Sequence, residues 1–408
     1  MSPEIDAARV IADLRELDRR TGGPDGARRA CWGPVWADAR AFLEELLDEI
    51  GVTPELDEAG NLWAYLEGEA EPALAVGSHV DSVPQGGWLD GALGAMAAVG
   101  VLRSWAQGEE RPPRTIALVD WADEEGRFGR SLLGSSAASG TLRPDEVRGL
   151  RDADGHELSE VLEQNGVELD DAPAAASRLE RLGGLLELHI EQGPVLESEE
   201  IPIAAVSGTA GIERLRFRVE GRASHAGTTP MDQRRDAGLV ASQLGLEAER
   251  IALQHSGVAT AGSLELRPGV ATVIPGEADV VIDMRNTDLG ALSDMLDEIE
   301  AAAQALAGDR GCECFVDRIW RIDPIEFDPE LVELARQSCE EVAGSNRVMV
   351  SGALHDAAEI ARRLPAAMLF VRSIAGVSHS PQENSSDEDL ELGIRAYTDL
   401  AERAMRRG

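Results

Sequence analysis

The sequence contains no lysine, and this absence excludes several classes of enzyme. A Schiff-base lysine, a phosphate-binding P-loop lysine and a Ser-x-x-Lys nucleophile are all impossible in this chain. Its 38 basic side chains are therefore all arginines, against 75 acidic ones, which gives a net charge of −37. Nucleic acids and anionic membranes are disfavoured as partners, because binding to phosphate groups requires a basic surface.

Cysteine and long apolar runs are scarce as well. The four cysteines, Cys31, Cys312, Cys314 and Cys339, lack the spacing of a zinc ribbon. The longest apolar stretch, residues 91–102, is too short to cross a membrane and predicts a buried helix instead. No apolar signal region opens the sequence, so we expect a cytoplasmic protein.

The order of the apolar segments predicts an α/β fold. A strand at 74–76, a helix at 92–105 and a strand at 115–119 make a βαβ unit. Units of this kind build a mainly parallel sheet with helices on both faces.

A different pattern between residues 211 and 324 predicts a second domain that is inserted into the first. Strands and helices follow the order β-α-β-β-α-β in this region, which is the ferredoxin-like α+β arrangement. The main domain would then consist of residues 1–210 and 325–408, with residues 211–324 as the insertion.

Histidine is rare, with seven residues in the chain, and three of them are candidate metal ligands. His79 and His189 each end an apolar run, and His379 lies in a turn-rich segment. Asp81 follows His79 by two residues, so in extended backbone its carboxylate can hold the second ring nitrogen of that histidine. Asp90 comes shortly afterwards and is a further candidate ligand. These groups can form one site, because the carboxyl ends of strands meet at one edge of an open α/β sheet.

Glu124 and Glu125 stand side by side just after the apolar run 115–119. At the end of a strand both can converge on one pocket, where one carboxylate binds a metal and the other accepts a proton. Three imidazoles and two carboxylates, with one carboxylate shared, suit two divalent ions. Zinc is the first choice, and cobalt, nickel or manganese also accept these ligands.

Six segments of the sequence match motifs of a known family. They are residues 77–87, 90–94, 186–197, 225–231, 351–356 and 378–381. Together they resemble the dinuclear-zinc amidohydrolases, a family that includes aminoacylases, carboxypeptidases, beta-ureidopropionase, allantoate amidohydrolase and the N-carbamoyl-L-amino acid hydrolases. The resemblance is strongest to the last two, because segment 186–197 is peculiar to that branch and peptidases of the family usually carry an acid where His189 stands.

The resemblance implies a set of ligands for two metal ions. Asp90 would bridge the two ions. His79 and His189 would complete one site. Glu125 and His379 would complete the other.

The resemblance also implies catalytic and substrate-binding groups. Glu124 would be the general base, and Asp81 would act with it as a catalytic residue behind His79. His225 would be catalytic too, because it would stabilise the negative charge that develops on the substrate oxygen, together with His355. Arg285 would hold a substrate carboxylate through paired bonds. The substrate-binding residues implied are Gln192, His225, Thr272, Arg285 and His355.

In this family the inserted domain is a lid that also mediates dimers. The resemblance therefore implies a homodimer, in which His225 of one subunit would reach the site of the other. A hinged lid could carry His225 and Arg285 to the metals and exclude water when substrate binds.

Three departures from the family pattern bear on substrate choice. The loop after Glu125 is one residue shorter than in close relatives. Thr272 stands where relatives have an asparagine that contacts the substrate, and threonine has a shorter reach and no amide. Leu354 replaces a glycine that usually precedes the histidine at position 355. The groups that carry the chemistry are all retained.

The leading hypothesis is a metal-dependent hydrolase that cuts a linear C–N bond in an N-carbamoyl or ureido acid, with release of ammonia, carbon dioxide and an amino acid. The alternative is an N-acyl amino acid deacylase or dipeptidase, which Thr272 favours and His189 disfavours. A binding protein without turnover is the third hypothesis. It would be expected to have lost the base or a metal ligand, yet Glu124 and the ligand set are present.

Overall fold

The computed structural model describes residues 4–407, which form two compact units. The first unit runs to Gly208 and resumes at Glu326, and the second is Thr209–Ile325. Within residues 4–407, no helix combines the length and the apolar character that crossing a membrane requires.

The helices and strands have the following bounds. The helices are α1 Ala7–Thr21, α2 Pro34–Asp48, α3 Ala92–Ala106, α4 Leu133–Ser139, α5 Pro144–Val147, α6 Leu158–Gln164, α7 Val195–Ser198, α8 Ala237–Gln254, α9 Leu289–Asp309, α10 Pro329–Ala343, α11 Asp356–Ile360 and α12 Asp387–Arg406. The strands are β1 Glu55–Leu56, β2 Leu62–Leu66, β3 Ala73–His79, β4 Ile116–Trp121, β5 Leu182–Ile190, β6 Ile203–Thr209, β7 Gly211–Glu220, β8 Ser224–His225, β9 Val258–Arg267, β10 Val273–Ile274, β11 Glu277–Asn286, β12 Glu313–Ile322, β13 Ile325–Glu326, β14 Val348–Ser351 and β15 Ala366–Val371. Short 3-10 helices occur at Ala172–Arg181, Met231–Gln233 and Ile374–Gly376.

The first unit is built on a nine-stranded sheet in the order β1-β2-β4-β3-β5-β15-β6-β13, with β14 paired to β6. The four central strands, β4, β3, β5 and β15, run parallel to one another. Antiparallel pairs flank them at β1–β2, β2–β4 and β15–β6. The predicted βαβ unit is β3-α3-β4, and the predicted α/β fold with a mainly parallel sheet is confirmed.

The burial of the central strands explains why their sequences read as unbroken apolar runs. Every residue of β3 and β4 is buried, as expected for parallel strands with both faces covered. Helix α3 lies very close to the sheet, because a Cβ atom on Gly94 would overlap the backbone carbonyl of Leu188 in β5. Helix α3 begins at Ala92, two residues after Asp90, so this close packing brings Asp90 to the ends of the central strands.

The central strands deliver their last residues to one edge of the sheet. His79 is the final residue of β3, and His189 is the residue before the end of β5. Strand β4 ends at Trp121, shortly before Glu124 and Glu125. Because β3, β4 and β5 are parallel, these side chains all leave the sheet at its carboxyl edge.

The second unit is an antiparallel sheet in the order β12-β7-β11-β9, with α8 and α9 packed against it. Along the chain its main elements follow β7-α8-β9-β11-α9-β12, which is the predicted β-α-β-β-α-β order. Strand β7 alternates buried Leu215, Phe217 and Val219 with exposed Arg216 and Arg218, as the sequence pattern indicated. A small antiparallel ladder of β8 and β10 was not predicted, because two-residue strands leave no periodic signal.

Candidate metal centre

The first candidate ligand group consists of His79, Asp90 and His189, all buried. Each offers one ligand atom, and these atoms lie within 4.8 Å of one another. The Nε2 atom of His189 is 3.1 Å from Oδ1 of Asp90, and Nε2 of His79 is 3.9 Å from the same oxygen. Two imidazoles and one carboxylate oxygen therefore point at a common volume.

The second group consists of Asp90, Glu125 and His379. The Nε2 atom of His379 is 3.2 Å from Oδ2 of Asp90 and 3.5 Å from Oε2 of Glu125. This histidine is half exposed, so the second group is the more open of the two. Asp90 thus presents one carboxylate oxygen to each group.

Glu124 lies beside the first group. Its carboxylate is buried, with Oε2 3.6 Å from Nε2 of His79. The residue before it, Asp123, has a positive φ of 57°, which turns the chain sharply at the end of β4. This turn lets two consecutive side chains, Glu124 and Glu125, enter the same site.

Left-handed backbone recurs around the site. Besides Asp123, the non-glycine residues Gln85, Gln192 and His379 have positive φ. Gly91 has a φ of 63°, and a Cβ atom there would overlap the imidazole of His79. Such conformations are unfavourable for most residues. They are common at functional sites, where the surrounding contacts hold the backbone in place.

The electrostatics of the centre fit a divalent cation. Burial and then the charge of Asp90 raise the pKa of Glu125 to about 7, and burial and then Asp81 raise the pKa of Asp123 to about 8. Burial also raises the pKa of Glu124 well above its usual range. Crowded, buried carboxylates beside imidazoles are destabilised as anions unless a cation lies among them. The donor set is the nitrogen and oxygen mixture that zinc and related metals accept.

Two histidines of the centre have well-defined partners for their second ring nitrogen. Nδ1 of His79 lies 3.2 Å from the backbone carbonyl oxygen of Asp81 and 3.3 Å from its side-chain Oδ1. Oδ2 of Asp81 accepts a hydrogen bond from the backbone N–H of Glu125 at 3.2 Å. Nδ1 of His189 lies 2.9 Å from the carbonyl oxygen of Ile190. Donation from Nδ1 leaves Nε2 of each ring with a lone pair that can bind a metal. In the structure Nε2 of His189 also accepts the backbone N–H of Gly91 at 3.2 Å.

Gln192 and His355 lie next to these groups. The side-chain amide of Gln192 donates to Oδ2 of Asp90 at 2.9 Å, so this residue contacts the shared carboxylate itself. The ring of His355 is 4.5 Å from that of His189, and its Nε2 is 3.0 Å from the hydroxyl of Ser351. Burial lowers the pKa of His355 well below its usual range, so the ring is neutral.

The other predicted site residues belong to the second unit. His225 lies in β8, and the backbone N–H of the next residue donates to the carbonyl of Thr272 at 2.9 Å, so His225 and Thr272 are held together. Nδ1 of His225 accepts the backbone N–H groups of Gly227 and Thr228 at 3.0 and 3.2 Å. The ring proton is therefore on the exposed Nε2, which can act as a donor.

Arg285 lies in β11 of the second unit. Its Nε donates to Oδ1 of Asp283 at 2.8 Å, while Oδ2 of Asp283 accepts from Arg214 at 2.7 Å. Asp283 is therefore clamped between two arginines and fixes the orientation of the Arg285 guanidinium.

One buried carboxylate of the centre was missed by sequence analysis. Glu383 accepts hydrogen bonds from the backbone N–H of Asp90 and from the hydroxyl of Ser378, next to His379. Its signal was faint, because it is one acid among many in a turn-rich segment four residues after His379.

Comparisons with known proteins place the chain in a family. Residues 75–403 match the model of Peptidase family M20/M25/M40. The chain is 34% identical to an N-carbamoyl-L-amino-acid amidohydrolase of Paenarthrobacter aurescens over 394 residues, which cover 95% of each protein. It is 35% identical to the allantoate amidohydrolase of Escherichia coli strain K12 over 376 residues, 91% of each protein. The structure is also similar to the crystal structure of an amidase of the hydantoinase/carbamoylase family from Burkholderia multivorans. The two align over the whole of both chains, with a TM-score of 0.90 and 31% sequence identity.

Fold, ligand groups and relatives together define a hydrolase that acts on amide bonds. The chain belongs to Peptidase family M20/M25/M40, a family of metal-dependent enzymes. The resemblance inferred from the motifs is confirmed, including the branch of carbamoyl and allantoate amidohydrolases.

Proposed function

We propose that this protein hydrolyses the linear C–N bond of an N-carbamoyl-L-amino acid or of an allantoate-like ureido acid, using two divalent metal ions per subunit. The observation that carries the proposal is Asp90, whose two carboxylate oxygens face two separate groups of ligands. Zinc is the preferred metal on the basis of the donor set, with manganese, cobalt and nickel as alternatives.

The residues that would hold the ions are the two groups joined by Asp90. His79 and His189 would complete one site, and Glu125 and His379 would complete the other. Ions bound there would polarise the substrate carbonyl and lower the pKa of water from 15.7 towards about 7.

Glu124 would act as the general base. Its carboxylate is buried at the rim of the first group and would accept the proton of the attacking water. Water would add to the carbonyl carbon, and the bond from this carbon to the amino-acid nitrogen would break as that nitrogen takes up a proton, which releases the amino acid. The carbamate that remains from a carbamoyl group would decompose to ammonia and carbon dioxide. Asp81 would support this chemistry by holding His79 in place.

Charge on the carbonyl oxygen would be stabilised by histidine. The tautomer of His225 leaves Nε2–H free of local backbone partners and able to donate. His355, buried and neutral, would assist from the first unit, and Gln192 and Thr272 would contact the substrate. Arg285, oriented by Asp283, would bind the substrate carboxylate.

Replacing Arg285 with alanine is expected to weaken substrate binding more than it slows turnover. The loss of hydrogen bonds to a charged group is worth about 1.5–3 kcal/mol, so KM should rise about 10- to 100-fold while kcat changes little. Steady-state kinetics measure both constants. The matched control is Arg216→Ala, an exposed arginine on the neighbouring strand β7, which should leave KM unchanged. An Arg285→Ala enzyme with normal KM would show that another group holds the carboxylate.

We also propose a homodimer formed through the second unit. Strand β9 is the edge of its sheet and is exposed along nearly its whole length. Leu246 and Leu253, seven residues apart on α8, are 68% and 74% exposed, and Val258 of β9 is 63% exposed. An open edge strand beside an apolar helix face invites pairing with a second copy, which would continue the sheet and cover the leucines.

Leu253→Arg should convert the dimer to a monomer, because it places a charge in the apolar contact. Size-exclusion chromatography with light scattering gives the mass of each species. Leu56→Arg is the control, since Leu56 is also exposed but lies in the first unit. A wild-type protein that runs as a monomer would contradict the proposed assembly.

The experiment that tests the proposed function is a substrate panel with the metal-loaded enzyme. N-carbamoyl, N-formyl and N-acetyl amino acids and allantoate are each incubated with the protein, and free ammonia and free amino groups are both measured. We expect ammonia from an N-carbamoyl amino acid or from allantoate. Release of amino groups from N-acetyl substrates alone, without ammonia, would instead establish the deacylase alternative that Thr272 favours.

A further inference from the structure

Glu383 is a buried carboxylate that joins the segments carrying two of the candidate ligands. Only 2% of its surface is exposed. Its Oε1 accepts the backbone N–H groups of Leu89 and Asp90, both at 3.0 Å. Its Oε2 accepts the hydroxyl of Ser378 at 2.7 Å. Both carboxylate oxygens therefore accept hydrogen bonds from nearby groups of the protein.

These bonds connect parts of the chain that are far apart in sequence. Asp90 is the carboxylate shared by the two ligand groups, and Ser378 immediately precedes His379 of the second group. The hydroxyl of Ser378 also lies 3.2 Å from Oδ2 of Asp90, the oxygen that faces His379. Glu383 is thus bonded to the backbone of one ligand and to the neighbour of another.

The position of Glu383 depends on a glycine in the loop before Asp90. A Cβ atom on Gly87 would overlap the carboxyl group of Glu383, so only glycine leaves room for the carboxylate. Gly87 is buried and belongs to the same loop that leads to Leu89 and Asp90. Loop and carboxylate therefore fit each other closely.

We propose that Glu383 is a positioning residue that sets the separation of Asp90 and His379, and so controls the affinity of the second metal site. The proposal rests on the two-ion site of the proposed function. Residues that orient metal ligands typically change metal affinity by about 10- to 100-fold when they are removed. The first site should depend on Glu383 much less, because His79 and His189 are oriented by Asp81 and Ile190 instead.

Zinc titration of the chelator-stripped protein tests this role without any substrate. Zn²⁺ alone is added in competition with a chromophoric chelator, and two binding steps are resolved. For Glu383→Ala we expect one step to weaken about 10- to 100-fold and the other to change less than about threefold. Glu383→Gln should be milder, because its amide oxygen can still accept the N–H groups of Leu89 and Asp90. Glu388→Gln, an exposed glutamate five residues away, is the matched control and should bind like wild type.

A mutant cycle with His379 separates positioning from a general structural effect. His379→Ala should weaken the same binding step, and adding Glu383→Ala to it should cause little further loss. Equal weakening of both steps, fully additive losses or unchanged affinity in Glu383→Ala would each overturn the proposal. If Glu383→Ala does not fold, the variants Gly87→Ala and Glu383→Gln test the proposal instead, since both should weaken the same zinc-binding step. A wild-type protein without two binding steps would instead refute the proposed two-ion site itself.

Discussion

Glu124→Gln is expected to lower kcat by about 10²- to 10⁴-fold and to leave the metal content unchanged. General-base catalysis contributes a factor of this size, and the amide of glutamine cannot accept the proton of the attacking water. The substitution is nearly isosteric and removes no ligand, because Glu124 lies beside the first group rather than in either group. Steady-state kinetics and metal analysis of the same sample measure the two quantities.

The neighbouring residue supplies the control for this prediction. Glu125→Gln changes the same chemical group one position further along, but in a side chain that lies 3.5 Å from His379 in the second ligand group. It should weaken the binding of one metal ion, whereas Glu124→Gln should not. Normal turnover in Glu124→Gln would remove this residue from the role of base.

Asp90→Ala is expected to have the largest effect of any single substitution. Both ligand groups use this carboxylate, so both should lose affinity together. Turnover should fall by at least about 10³-fold, because water near its ordinary pKa of 15.7 is a poor nucleophile at neutral pH. Metal analysis after dialysis against dilute Zn²⁺, combined with kinetics, measures both losses.

A second acidic cluster offers the matched control for Asp90. Asp152, Asp154 and His156 also bring their side chains within 4.8 Å of one another. Asp152, however, is paired with Arg127 at 2.8 Å and accepts the backbone N–H groups of Asp154 and His156. Asp154→Ala should therefore leave metal content and turnover unchanged. Retention of both ions by Asp90→Ala would refute the shared carboxylate.

The meeting of several candidate ligands at one edge of the sheet could be predicted because they follow the strands. His79, His189 and the pair Glu124 and Glu125 come directly after apolar runs, and parallel strands bring their carboxyl ends to one edge whatever the details of the loops. His379 has no such local signal. The scarcity of histidine and the family motif at 378–381 indicated it, and in the structure its Nε2 atom lies 3.2 Å from Oδ2 of Asp90.

Contacts that depend on exact loop conformation could not be predicted from the sequence. The link between Glu383 and Asp90 requires two turns, nearly 300 residues apart, to meet within hydrogen-bond distance. The bond from Gln192 to Asp90 likewise depends on the positive φ of Gln192. Neither backbone turns nor single buried polar contacts produce a periodic pattern. The role of the inserted domain as a lid stays a prediction from family resemblance.

Anomalous diffraction at the zinc absorption edge, from crystals of protein reconstituted with Zn²⁺, tests the central claim most directly. We predict two strong peaks per chain, one on each side of the Asp90 carboxylate, the first within bonding distance of His79 and His189 and the second within bonding distance of Glu125 and His379. The absence of peaks beside Asp90, or a single peak with His379 uninvolved, would contradict the account.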